Sequence, residues 1–239
     1  MEGIGPVGRW LVAAYVVGPI QNADPAAGHM LDHAFVLSDP HSPPPTGTPV
    51  ARYRSLAAFE ADVQAGTIHK AFRWVLYDPE SWPDTPPAEQ ADPCAAMQSF
   101  GQLAHSLGYR VIHTPARDLA LAPNASQPRQ PGENITAWYL RTEMAACAAR
   151  YADMVDIQAQ ALTLDLAAYT GFVAAAGTQA RAANAYAIRL AGVSTKYGTA
   201  HEMADAARSV DTGGYWLNVP GPSPDFAKAV QFLTLMASS

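Results

Sequence analysis

Eight short apolar runs, separated by longer helical stretches, constrain this chain more than any other feature. The runs are Trp10–Val17, Ala34–Leu37, Val50–Tyr53, Phe72–Tyr77, Tyr109–His113, Met154–Ile157, Ala187–Leu190 and Tyr215–Val219. Between them lie stretches with apolar residues at helical spacing. Ser55–Ala65 opens on a serine cap. Glu89–Leu107 stops at Gly108. Ile135–Tyr151, Leu166–Ala182, Ala200–Arg208 and Pro224–Met236 follow. From Phe72 onward the alternation predicts parallel strands with right-handed crossovers. Eight strands predict a closed (β/α)8 barrel of the TIM type, with an open doubly wound sheet as the alternative. The N-terminal third is irregular, because Asp39–Pro49 holds five prolines and one glycine and reads as a loop. Residues 1–239 read as a single barrel domain.

Composition narrows the function classes. A net charge of −6 gives no reason to expect nucleic acid or an anionic membrane as partner. No apolar run reaches the length of a membrane span. Met1–Val7 lacks the ordered parts of a signal peptide. The three lysines, Lys70, Lys196 and Lys228, and the alanine-rich helices resemble exported proteins of high-GC bacteria, a resemblance that implies secretion after signal removal. Cys94 and Cys147 lie on separate predicted helices and read as isolated buried thiols; pairing in an oxidising compartment is the alternative.

The segment Phe72–Trp82 carries the most chemistry. An apolar strand runs into Asp78 and Glu80, and period-two alternation puts both on the side of Leu76. At the C-terminal mouth of a barrel, that is where active sites sit. Two adjacent carboxylates repel, so one keeps a proton that its partner loses, as general acid–base work requires. Tyr77 and Trp82 add aromatic surface for a ligand. The plainer alternative is an Asp-Pro turn with Glu80 capping the next helix.

Asp156, Gln158 and Gln160 share one parity at the end of another strand, where they either line a cavity or form an internal network. A buried Asp156 needs a partner, which Arg189 on a later strand is positioned to supply. Trp216 and Asn218 share a parity in the last strand. Thr114, Arg117 and Asp118, and then Ser194 and Thr195, follow other strand ends. His29 and His33, with Asp39 and His41 nearby, have a zinc-like spacing, but only one helical turn is available; the segment reads as a surface turn and no metal is expected. No cofactor is expected either, since phosphate loop, dinucleotide fingerprint and serine elbow are all missing from the sequence. Asn124 and Asn134 open two glycosylation-type triplets.

The run Leu76–Glu80 resembles the end of the catalytic strand of chitinase-like glycoside hydrolases, whose fourth barrel strand ends in Asp-x-Glu. Trp216 resembles the tryptophan which that family places under the sugar. The resemblance implies Glu80 as proton donor and Asp78 as its partner. Arg73 and Leu76 stand where the family has two further aspartates, and Gln158 and Gln160 stand where it has a tyrosine.

Three functions follow as expectations. The first is a glycan hydrolase using Glu80, Asp78 and Asp156, with Tyr77, Trp82, Gln158, Gln160, Arg189, Trp216 and Asn218 binding substrate. The second is an isomerase, lyase or cyclase of a small metabolite on the same barrel, favoured by glutamines where a second carboxylate would stand. The third is a non-catalytic barrel that binds carbohydrate or another ligand. Nothing in the sequence sets the oligomeric state.

Overall fold

The computed structural model describes residues 9–220 and 224–238. Eight parallel strands close into a barrel in chain order, β1 hydrogen-bonding to β8. They are β1 (Arg9–Ala13), β2 (Phe35–Ser38), β3 (Thr48–Tyr53), β4 (Trp74–Tyr77), β5 (Arg110–His113), β6 (Met154–Ile157), β7 (Ile188–Ser194) and β8 (Gly214–Asn218). The helices are α1 (Ala14–Ala23), α2 (Pro25–His29), α3 (Leu56–Ala65), α4 (Pro87–Ala91), α5 (Pro93–Ser106), α6 (Ile135–Arg141), α7 (Met144–Arg150), α8 (Leu166–Ala183), α9 (Ala200–Arg208) and α10 (Pro224–Ala237). This is the (β/α)8 architecture. Its irregular third is real: the proline-rich loop, with no helix, joins β2 to β3.

Alternation along each strand divides the core in two. Leu11, Leu37, Val50, Leu76, Ile112, Met154, Leu190 and Trp216 fill the barrel. Their neighbours Val12, Val36, Ala51, Val75, Val111, Val155, Ala191 and Leu217 turn outward and pack beneath the helices. Burial on both faces is why the strands read as continuous apolar runs. Ile188, at the start of β7, is only half-buried and packs on the inner cluster.

Several boundaries differ from the sequence reading. The run Trp10–Val17 is a strand only to Ala13, and Ala14 opens α1. Its buried Val16, Val17 and Ile20 recur at helical spacing, a period that a short apolar run does not display. Glu89–Leu107 breaks at Asp92, whose side chain caps α5 by accepting from Ala95 N–H at 3.0 Å. Ile135–Tyr151 breaks at Glu143, which takes a left-handed φ of 53°.

Cys94 and Cys147 are not isolated thiols. They form a disulfide between α5 and α7, with Cα atoms 5.8 Å apart, inside the span that a disulfide bridges. Asn134 is the cap of α6, its Oδ1 accepting from Ala137 N–H at 2.8 Å. The Met1–Val7 segment lies outside the described residues.

Candidate functional site

The inward parity of β3, β4, β5 and β6 brings four polar side chains together just above the barrel core. Asp78, fully buried, follows Leu76 on the inner face. One of its oxygens, Oδ2, accepts from Arg52 Nε at 3.2 Å and from Arg52 Nη2. The other, Oδ1, accepts from Thr114 Oγ1 at 2.7 Å and Gln158 Nε2 at 3.1 Å. Gln158 Nε2 also reaches the Thr114 carbonyl at 2.7 Å, and Gln160 Nε2 donates to Gln158 Oε1 at 3.1 Å. Charge-assisted bonds of this kind fix the geometry of every member.

Above this network opens a cavity of about 390 Å³. Glu80, Trp82, Gln158, Gln160, Trp216, Asn218 and Arg52 all border it. The Arg52 guanidinium lies 5.9 Å from the Trp82 ring centroid and 6.0 Å from that of Trp216. Its Nε and Nη2 are taken by Asp78, which leaves Nη1 for a ligand. Ser194, buried at the end of β7, lines it too, and Lys196 and Tyr197 form the rim beyond that strand. A second, wider cavity of about 800 Å³ adjoins it through Tyr15, Leu37 and Arg52, and runs over Asp39, His41 and Asp62.

Glu80 is half-buried, three residues past the end of β4. Its backbone is held by Thr85 Oγ1, which accepts from Glu80 N–H at 3.2 Å, and by Trp82 N–H, which donates to Glu80 O at 2.9 Å. Burial, then the charges of Asp78 and Asp118, push its carboxyl up to about 8; Arg52 and a hydrogen bond from Gln158 oppose them less strongly. Asp118 sits beside it, accepting from Ser81 N–H at 3.0 Å, and burial foremost raises it too. The mouth therefore holds a carboxylic acid that is mostly neutral at pH 7 next to a fixed guanidinium.

Three expected site residues stand elsewhere. Tyr77 points out of the barrel: its hydroxyl donates to Glu89 Oε2 at 2.7 Å and its ring stacks on Phe100. Glu89, not Glu80, is the helix-capping glutamate, accepting from Leu56 N–H and Ala57 N–H at the start of α3. Arg189 also faces outward, since Leu190 beside it fills the interior; it is not the partner of Asp156. Asp156 lies sealed beneath the mouth, with no hydrogen bond to either carboxyl oxygen. Burial and the Asp78 charge hold it well above the usual carboxylate range, so it is a neutral acid in the floor and does not border the cavity.

Arg52 is the residue that sequence reasoning missed. Its signal was present: it has the parity of Val50 in a strand of the barrel, a charged residue at an inward position near the mouth. Gly192 is a second. A Cβ there would stand 2.5 Å from Gln160 Oε1, so glycine makes the room in which Gln160 lies. His29 hydrogen-bonds Asp32 at 2.9 Å on an exposed turn leading into β2, at the end of the barrel opposite the mouth. Among the described residues no three His, Cys, Asp or Glu side chains cluster as a metal site would need, and no helix is long and apolar enough to cross a membrane.

No protein-family model and no curated protein matches the chain. Among solved structures, a Schiff-base-forming fructose-1,6-bisphosphate aldolase is similar across 97% of this chain and 93% of its own, with a TM-score of 0.50 and 16% identity. A likeness at that identity shows the fold, and both are (β/α)8 barrels. It also corrects the glycoside-hydrolase expectation, because the barrel matched nearly end to end is that of a lyase. The two oxygens of Asp78 are occupied by Arg52, Thr114 and Gln158, so it holds an arginine at the mouth as well as raising the Glu80 carboxyl.

Proposed function

We propose that the barrel mouth is the active site of an acid–base enzyme, a lyase or isomerase, acting on a small polar metabolite. One observation carries the reading: Glu80, an acid raised to about 8, opens into the same compact cavity as an arginine locked by Asp78. A cavity of about 390 Å³ suits a small molecule, since such sites run from roughly 300 to 1,000 Å³. Arg52 Nη1, between two tryptophan faces, holds a carbonyl, carboxylate or phosphate oxygen of the substrate. Gln158 and Gln160 orient hydroxyl groups without competing for the proton. Glu80 gives or takes the proton at the reacting carbon or its oxygen, and a pKa near the working pH is efficient in both directions.

Imine chemistry of the kind named for the aldolase needs an amine at the reacting carbon. Of the three lysines only Lys196 borders the cavity, exposed on the rim 5.5 Å from the Tyr197 ring centroid. Lys228 is tied to the carbonyls of Thr195 and Gly198. The reading therefore rests on proton transfer. The disulfide supports placing the protein in an oxidising compartment.

The test begins with a substrate screen over small hydroxy acids, keto acids and sugar phosphates. Glu80→Gln keeps shape and hydrogen bonding but cannot exchange a proton, and turnover should fall on the order of 10²–10⁴-fold. Substrate binding should change little. Turnover by Glu80→Gln at the wild-type rate would remove the acid–base role.

A further inference from the structure

Arg189 builds a second cavity, remote from the mouth. It lies near the start of β7, paired in register with Val155, and its side chain runs outward beneath α8. There it borders a cavity of about 190 Å³ together with Arg181 of α8. That is many times the roughly 10–15 Å³ of such volume that one water needs. Gly177 of α8 lines the same cavity beside the Arg189 stem.

The charges in this cavity have few protein partners. The Arg189 guanidinium, half-buried, hydrogen-bonds no atom among the described residues. Arg181 has only Asp211, at 3.8 Å, and that carboxylate is 98% exposed. Thr170 and Ser209 close the wall with hydroxyls bonded to each other at 2.8 Å. Burial and the nearby Arg181 charge hold Arg189 below its usual range. Two guanidinium groups sharing a cavity repel unless an anion lies between them, and their planar donors fit the oxygens of a phosphate.

We propose that Arg181 and Arg189 form a binding site for a small oxyanion of the phosphate type, between α8 and the loop entering β8. With Asp211 counted, the site carries one net positive charge before the anion binds, and an oxyanion with several acceptor oxygens can engage both guanidinium groups at once. It lies towards the opposite end of the barrel from Glu80, so its occupant is not the molecule transformed at the mouth.

Inorganic phosphate is the probe, titrated calorimetrically into the full chain at constant ionic strength. The wild type should bind saturably, with one site that depends on Arg181 and Arg189 and is separate from any occupancy at Arg52. Arg189→Met, which keeps the apolar stem, should weaken binding by at least about tenfold. Arg181→Gln, at a more exposed position, should weaken it while leaving the melting temperature without phosphate unchanged, separating binding from folding. Lys196→Ala, on the mouth rim, should bind as the wild type does. The proposal is overturned by absent saturable binding, by equal binding in wild type and both arginine variants, or by loss confined to Lys196→Ala.

Discussion

At Glu80 three influences add in one direction: loss of water, Asp78 beneath and Asp118 beside. All favour the neutral acid, and the sign of the pH dependence follows. The native state holds a proton between the ordinary value of 4.5 and about 8 that the unfolded chain has already released. The stabilisation is complete below the lower value and is lost as pH rises through the higher one. Glu80→Gln carries no such proton. Its melting temperature should therefore gain on the wild type as pH rises from about 5 to about 9. A constant difference across that range would mean that Glu80 titrates like a free carboxyl. Alternation made this residue readable, since Leu76, Asp78 and Glu80 share one side of β4 and its continuation. The same rule excludes Tyr77, of opposite parity. Arg189 was not readable in this way, because nothing local says whether it or Leu190 faces the interior.

Between elements, the network from Arg52 through Asp78, Thr114 and Gln158 ties β3, β4, β5 and the chain just past β6 above the apolar core. It could not be read from the sequence, because each member comes from a different strand and only barrel closure makes them neighbours. Asp78→Asn should be costly. It keeps an acceptor for Thr114 but presents neutral amide hydrogens or a weaker acceptor to Arg52. Breaking a fully buried ion pair costs about 3–5 kcal/mol. Arg52 is 27% exposed at its side chain, so water recovers part of that, and a loss of about 2 kcal/mol is expected. Denaturant unfolding should show it as a lower midpoint at unchanged slope. In the active protein the same change should lower the Glu80 pKa by removing a neighbouring charge. A variant as stable as the wild type would show that Arg52 is held by its tryptophans alone.

Across the whole molecule, the barrel was legible and its clamp was not. Eight apolar runs with helices between them point to a parallel sheet, and the pairing of β1 with β8 decides for the closed barrel over the open doubly wound alternative. The boundary of β1 was obscured because Trp10–Val17 is apolar through both a strand and a helix start. The Cys94–Cys147 bond was obscured for a different reason: its partners are 53 residues apart, in successive βα units, and meet only when α5 and α7 pack side by side. A cross-link of that span removes chain entropy from the unfolded state worth about 4 kcal/mol in the loop-closure account. For a domain of this size, each kcal/mol shifts the midpoint by roughly 2–4 °C. Replacing both cysteines with alanine should then lower the melting temperature by roughly 10 °C, and the oxidised wild type should titrate no free thiol before unfolding. The inner cluster from Leu11 to Trp216 touches neither cysteine, so the variant should keep its parallel-sheet circular dichroism and its mouth. Free thiols in protein made under oxidising conditions, or an unchanged midpoint in the double variant, would mean that the α5–α7 pair is held by packing and not by the bond.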